Sequence, residues 1–321
     1  MTRASTRACS PLEAFAAELG YPMPDEAMRW ACGELLRKSG QEHGPVALRP
    51  LLERLGARRE DLALPTPGRL EIDSEGWRIC VRAGTPWRRA RFTIAHEIGH
   101  ILLYETLAGR PAQVRALQAP EHWAAVERLC NQAAAELLMP GGAFVRSTRV
   151  TGIAPLGLRA LYDRFLVSWE PLLVRVTELF AVSLLTWRRY RRHGGERETL
   201  RLARTSRDRA TWLPEGITAR YVRPDVVTAA SHSGYAWAER ALLDLGERWP
   251  RQASAAAVSL PAARAVTATM PQPLDGFVAP EEPPAPFEVA LLLAPRVDEP
   301  WGAILKHSSA QHSLIDGERV P

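Results

Sequence analysis

The sequence has no apolar run long enough to cross a membrane. A spanning helix needs about 20 consecutive apolar residues, and no such stretch occurs in this chain of 321 residues. The first ten residues are basic but lack the apolar core of a secretory signal. From the sequence we therefore expect a chain that is neither membrane-inserted nor exported.

Cysteine and lysine are also scarce. The four cysteines, Cys9, Cys32, Cys80 and Cys130, are dispersed and form no Cys-x-x-Cys pair, which favours reduced thiols and predicts a cytoplasmic location. The net charge of +5 is carried almost wholly by arginine. This charge mildly favours an acidic or nucleic-acid partner, but taken alone it decides little. The length allows two or three domains.

The most informative stretch is residues 91–104, which contains the pattern His-Glu-x-x-His. Positions i and i+4 of a helix lie about 40° apart on one face, so His96 and His100 can bind one ion. Glu97 projects about 100° round the helix from His96. It is therefore placed to take a proton from a water in the ion's open position, as hydrolytic zinc sites require. The alternative is a core helix with two half-buried histidines.

A third ligand is predicted on a second helix, residues 120–138. Glu127 lies in the middle of its apolar stripe, where an unpaired carboxylate is costly, whereas Glu136 points the opposite way. The stripe residues within about 60° of Glu127 are Trp123, Cys130, Ala134 and Leu138. The pattern predicts a site of His96, His100, Glu127 and water, with zinc favoured and manganese also compatible. The alternative is that a buried Glu127 pairs with an arginine.

Two segments, residues 91–100 and 127–140, together resemble the ImmA/IrrE family of bacterial metallopeptidases. The resemblance implies an α+β fold with a zincin-like peptidase domain over residues 1–152. A helix-turn-helix unit over 153–193 and a GAF-like α/β sensor domain over 194–321 would follow, as in the radiation-response members. It also implies cleavage of a helix-turn-helix repressor that induces stress or DNA-damage genes, and a small-molecule ligand of unknown identity for the sensor domain.

Other segments carry structural predictions. A helix is predicted over residues 45–55, and residues 107–120 read as a loop at the rim of the cleft. A hairpin is predicted from Leu70 to Arg82, whose second strand alternates apolar residues with Arg78, Cys80 and Arg82. If the open edge of this strand takes an extended peptide, Arg78 and Arg82 would flank the substrate. A purely structural hairpin is the alternative.

Two short helices are predicted between residues 155 and 180, with Ser168 as the N-cap of the second. Four arginines follow and are candidates for nucleic-acid contact: Arg188, Arg189, Arg191 and Arg192. The alternative is a helical pair that docks on protein, with these arginines in solvent. Further on, strands are predicted at residues 217–222, 256–260 and 287–293, and a helix at 235–245.

Three rival functions do without proteolysis. The first is a DNA-binding regulator that uses residues 155–192, with a vestigial metal site. The second is a ligand-sensing regulator that sequesters a repressor, and the third is a scaffold stabilised by a metal. The intact His96, Glu97, His100 and Glu127 set favours the endopeptidase.

Overall fold

The computed structural model describes residues 10–152, 155–180, 183–191, 198–205, 221–222, 253–259 and 289–295. The chain divides into two compact units, Met1–Ala143 and Phe144–Pro321. The elements of the first unit, in chain order, are α1 (Pro11–Glu18), α2 (Pro24–Lys38), α3 (Leu48–Arg54), β1 (Ala57–Leu62), β2 (Gly68–Asp73), β3 (Gly76–Arg82), α4 (Trp87–Thr106), α5 (Pro111–Leu117) and α6 (Pro120–Leu138). Helix α7 (Gly141–Thr151) contains the boundary between the units.

The sheet of the first unit has the strand order β1-β3-β2. The predicted hairpin is present: β2 pairs antiparallel with β3, and the Asp73 carboxylate accepts a hydrogen bond from the Glu75 amide in the turn. Strand β1 pairs parallel with the other side of β3. Both edges of β3 are therefore occupied, and Ile79, Cys80 and Val81 at its centre are all buried. The prediction that Cys80 lies on a polar face is wrong, because the middle of β3 is covered on both faces.

Helices α4 and α6 form the centre of the first unit. Helix α6 has the predicted bounds, with Pro120 in its first turn, where a missing amide hydrogen bond costs nothing. Its buried side is centred on Val126, Leu129 and Ala133. The prediction that Trp123 belongs to this side is wrong, because Trp123 is 56% exposed. Glu127 consequently lies at the margin of the apolar stripe, where solvent reaches it.

Two further helices of the first unit depart from the predictions. Helix α3 begins at Leu48 rather than at residue 45, and the Gln41 side chain accepts a hydrogen bond from the Ala47 amide just before it. Helix α5 occupies Pro111–Leu117, inside the segment predicted to be a loop. Of its seven residues only Leu117 is buried. The segment therefore lacks the apolar periodicity by which a helix is predicted from sequence.

The end of α6 is fixed by a buried acid. Glu136 is 4% exposed, and its carboxylate accepts a hydrogen bond from the Gly141 amide at the start of α7, with N···O 2.9 Å. This interaction satisfies one of the free amides at a helix amino terminus and places a negative charge there. Glu136 therefore has a structural role away from Glu127.

In the second unit the predicted helical pair is present as α8 (Pro155–Phe165) and α9 (Trp169–Leu179). Ser168 occupies the N-cap of α9 as predicted, although its side chain makes no capping hydrogen bond. The rings of Tyr162 and Trp169 stack across the turn with centroids 4.5 Å apart. Assignment of this pair as a helix-turn-helix unit stays a prediction.

The strands of the second unit form an antiparallel sheet of order β6-β5-β4-β8-β7. Their bounds are β4 (Ser183–Arg191), β5 (Glu198–Thr205), β6 (Tyr221–Val222), β7 (Ala253–Ser259) and β8 (Val289–Pro295). Strands β6, β7 and β8 overlap the three predicted strands, whereas the helix predicted at residues 235–245 lies outside the described residues. The GAF-like identity stays a prediction. Among the described residues, no helix has both the length and the apolar character required to cross a bilayer.

Candidate metal centre

The two histidines of α4 and the glutamate of α6 converge on one point. His96 and His100 lie on the same face of α4, with their Nε2 atoms 3.2 Å apart. Each histidine Nε2 is 3.4 Å from an oxygen of Glu127, His96 from Oε2 and His100 from Oε1. The side chains of His96, His100 and Glu127 are 14%, 12% and 31% exposed, so the cluster is mostly buried but open to solvent on the Glu127 side.

The donor set fits a divalent ion. Ligand atoms bound about 2.0 Å from a tetrahedral zinc ion lie about 3.3 Å from one another. The 3.2 Å between the two Nε2 atoms agrees with this spacing, and so does the 3.4 Å from each Nε2 to the nearer oxygen of Glu127, although the two histidines approach different carboxylate oxygens. His96, His100 and Glu127 each offer one ligand atom within 4.8 Å of the other two. Two imidazoles and a carboxylate leave a further position for water, as in hydrolytic zinc sites.

The surroundings of Glu127 favour its ionised carboxylate, the form that can bind a metal ion. Hydrogen bonds with His100 and His96 lower the pKa of Glu127 to about 2, so its carboxylate is ionised at any physiological pH. Burial lowers the pKa of His96, but its hydrogen bond with Glu127 and the charges of Glu97 and Glu127 outweigh burial and raise it overall. Metal binding at His96 therefore competes with a proton that Glu127 stabilises.

Glu97 occupies a different environment on the same helix. It is 7% exposed, and burial raises the pKa of its carboxyl above the usual value. Its Oε1 lies against the first residue of β2, since a Cβ built on Gly68 would be 3.0 Å from that oxygen. Glu97 is also close enough to His100, His96 and Glu127 for their charges to affect its pKa. A carboxylate with a raised pKa beside a candidate ion is suited to accept and return a proton.

Residues 56–177 match the family model of the IrrE N-terminal-like domain, Peptidase M78. This part of the chain is similar to the IrrE N-terminal-like domain. The resemblance to the ImmA/IrrE metallopeptidases is thereby confirmed for the segment that holds His96, Glu97, His100 and Glu127. Because the family is one of metal-dependent peptidases, the match also supports the metallopeptidase part of the predicted fold.

The remaining comparisons are distant. A solved structure, the Mycobacterium tuberculosis transcriptional regulator, is similar at 13% identity with a TM-score of 0.43. That similarity covers 88% of this chain and 80% of the regulator. No curated protein matches the sequence.

The structure places one further polar residue in the IrrE-like domain beside the histidines. Asn131 of α6 lies with its Oδ1 3.1 Å from His96 Nδ1. The sequence contained a signal for it, because Asn131 follows Glu127 by four positions and so shares its face of α6. Gly68 gave no such signal, because its proximity to Glu97 depends on the packing of β2 against α4.

The predicted substrate contacts of Arg78 and Arg82 require correction. They rested on an open edge of β3, which instead pairs with β1 and β2. Arg78 forms ion pairs with Glu60 and Glu71 on the sheet. The guanidinium of Arg82 donates to the carbonyls of three consecutive residues before β2: Leu64, Pro65 and Thr66. Both side chains are therefore committed to the domain's own structure.

The candidate nucleic-acid residues lie in the second unit. Arg188, Arg189 and Arg191 belong to strand β4. Arg192 lies outside the described residues. A nucleic-acid role for these four arginines stays a prediction.

Proposed function

We propose that the protein is a metallo-endopeptidase that cleaves a helix-turn-helix transcriptional repressor at one site. The observation that carries the proposal is the convergence of His96, His100 and Glu127 beside a buried Glu97. The peptidase family of the IrrE-like domain supports the reaction class. The repressor substrate, and the induction of stress and DNA-damage genes that would follow, come from the ImmA/IrrE resemblance.

His96, His100 and Glu127 would hold the ion, with zinc the favoured metal and manganese the alternative. When bound there, the ion supplies Lewis-acid polarisation of the scissile carbonyl and acidifies a water ligand. Glu97 would accept the proton that the attacking water loses as the water oxygen bonds to the carbonyl carbon. Glu97 then returns the proton to the nitrogen of the breaking C–N bond, so that one peptide and one water become a carboxylate and an amine.

The free edge of β2 is the proposed track for the substrate backbone. Among the described strands, β2 pairs only with β3, which leaves its other side available for a further strand. Gly68 at the start of β2 lies beside Glu97. A substrate segment paired with β2 would therefore run toward the carboxylate that transfers the proton. This edge replaces the one predicted on β3.

Cleavage of repressors from the same genome tests the proposal. Candidate helix-turn-helix repressors are incubated with the metal-loaded full chain and their intact masses are measured. Wild type should convert one repressor into two fragments whose summed mass exceeds that of the parent by one water. Glu97→Gln should leave it intact, because an amide cannot accept the proton.

Two other outcomes would favour rival functions. If the repressor were displaced from its promoter with unchanged mass, the ligand-sensing regulator would be supported instead. Salt-sensitive promoter binding by this chain that survives Glu97→Gln, without any cleavage, would support the DNA-binding regulator.

A further inference from the structure

Asn131 and Glu127 approach His96 from the same helix but at different ring nitrogens. Glu127 Oε2 lies 3.4 Å from His96 Nε2, whereas Asn131 Oδ1 lies 3.1 Å from His96 Nδ1. Because Asn131 follows Glu127 by one helical turn, α6 presents both groups on one face. Helix α6 thus contacts both edges of a ring that belongs to α4.

The contact at Nδ1 determines which form His96 takes. A neutral imidazole carries one N–H, and its other nitrogen holds a free lone pair. If Nδ1–H donates to Asn131 Oδ1, the lone pair is on Nε2, the nitrogen that faces His100 and Glu127. In the opposite tautomer, Nε2 would carry hydrogen and could not bind an ion. Only the first arrangement is compatible with metal binding through Nε2.

We propose that Asn131 is a positioning residue that holds His96 in the tautomer and orientation required for metal binding. This inference rests on the proposed metal site. Partners that hydrogen-bond a ligating histidine commonly change metal affinity by about 10- to 100-fold. The chain offers this acceptor on the helix that supplies the third ligand, so one displacement of α6 would disturb both.

Two substitutions separate this role from general packing. Asn131→Ala removes the acceptor and should weaken metal binding by about 10- to 100-fold. Asn131→Asp keeps an acceptor oxygen but cannot donate, and should retain at least wild-type affinity. If Asn131 instead donated its NH₂ to Nδ1, it would favour the tautomer that cannot bind through Nε2, and Asn131→Ala would not weaken metal binding.

A third variant controls for charge, because Asn131→Asp also adds a negative charge near the ion. Arg128 is exposed, lies three positions before Asn131 on α6, and differs from alanine by the same one unit of charge. Arg128→Ala should change affinity by less than about threefold, because exposed charges are screened by solvent and salt.

The experiment is a competition between the metal-free full chain and a chromophoric chelator for Zn²⁺, with wild type and the three variants. Melting of each metal-free variant, followed by circular dichroism, establishes that it is folded. We expect wild type and Asn131→Asp to bind zinc tightly and Arg128→Ala to bind it about as well as wild type. Asn131→Ala should bind zinc at least tenfold more weakly.

Three results would overturn the inference. The zinc affinity of Asn131→Ala could lie within twofold of wild type, or Asn131→Asp could bind zinc as weakly as Asn131→Ala. The third is a tenfold gain in zinc affinity from Arg128→Ala alone. A wild type that binds no zinc would overturn both the inference and the proposed metal site. If the expected order of affinities holds but no repressor is cleaved, the role of Asn131 stands and the proposed function fails.

Discussion

Gly99 of α4 lies directly against Ala133 of α6. A Cβ built on Gly99 would be 2.9 Å from the Ala133 Cβ and 3.1 Å from the Cys130 Cα, closer than such atoms normally approach. Helices α4 and α6 therefore pack at this distance only because residue 99 has no side chain. Since His96 and His100 come from α4 and Glu127 comes from α6, this contact sets the width of the metal site.

Gly99→Ala should force the two helices apart. We expect it to destabilise the domain by roughly 1–3 kcal/mol, the usual cost of overpacking a core, and to weaken zinc binding as Glu127 recedes from the histidines. Denaturant unfolding and zinc titration measure the two effects.

The matched control is Gly33→Ala on α2. Gly33 is an exposed helix residue, and a Cβ built there would meet no atom within 4 Å. This variant should be more stable by about 0.5–1 kcal/mol, because alanine favours helix over glycine. A Gly99→Ala protein with unchanged stability and zinc affinity would show that the helices can adjust without cost.

The low pKa of Glu127 predicts a dependence of stability on pH in the metal-free protein. The pKa of Glu127 is about 2 in the folded state, whereas an unperturbed glutamate has a pKa of 4.5. The ionised form of Glu127 therefore stabilises the folded state. This contribution is complete above about pH 4.5 and is lost as the pH falls toward 2. We expect the stability advantage of wild type over Glu127→Gln to shrink across that window.

Denaturant unfolding of both metal-free proteins at pH 6, 5, 4 and 3 measures the dependence. Glu18 provides the control, because its carboxylate pairs with Arg110 at the surface and is remote in sequence from the histidines. Glu18→Gln should differ little from wild type at any pH. A difference between wild type and Glu127→Gln that stays constant or grows toward pH 3 would contradict the ion-pair description of the site.

The contact between β2 and Glu97 predicts an effect on catalysis. In Gly68→Ala the new Cβ would lie 2.3 Å from Thr93 Cγ2 and 3.0 Å from Glu97 Oε1, so β2 or Glu97 must move. A misplacement of about 1 Å can cost about 100-fold in rate. We expect kcat to fall by that order while zinc affinity changes little, because Gly68 meets none of the three ligands.

The double variant Gly68→Ala with Thr93→Ser tests the cause. Serine lacks Cγ2, so the closest of the contacts disappears and much of the rate should return, with Thr93→Ser alone as the reference. Full activity in the Gly68→Ala single variant would mean that the position of β2 does not determine where Glu97 lies.

The site could be predicted from the sequence because its signals are local. His96 and His100 are separated by one turn, and α6 shows its bounds through Pro120 at the start and a Met-Pro-Gly-Gly sequence after Leu138. Glu127 could be selected because a carboxylate near an apolar stripe requires a partner. The structure places these residues together, although Glu127 lies at the margin of the stripe.

The sheet could not be predicted in the same way, because its pairing is not local. Strand β1 reads Ala-Arg-Arg-Glu-Asp-Leu, which has no apolar alternation, yet it pairs in parallel with β3 and closes the edge predicted to be open. The roles of Arg78 and Arg82 followed from that error. The positions of Gly68 and Asn131 likewise depend on how β2 and α6 pack against α4.

The most direct test of the central claim is a zinc titration of the metal-free protein with repressor cleavage as the readout. We predict that the cleavage rate of wild type rises with added zinc and saturates at one equivalent per chain. Glu97→Gln should take up the same equivalent without cleaving. Cleavage that is independent of metal, or equal cleavage by wild type and Glu97→Gln, would contradict the assignment of His96, His100, Glu127 and Glu97 as a metallopeptidase site.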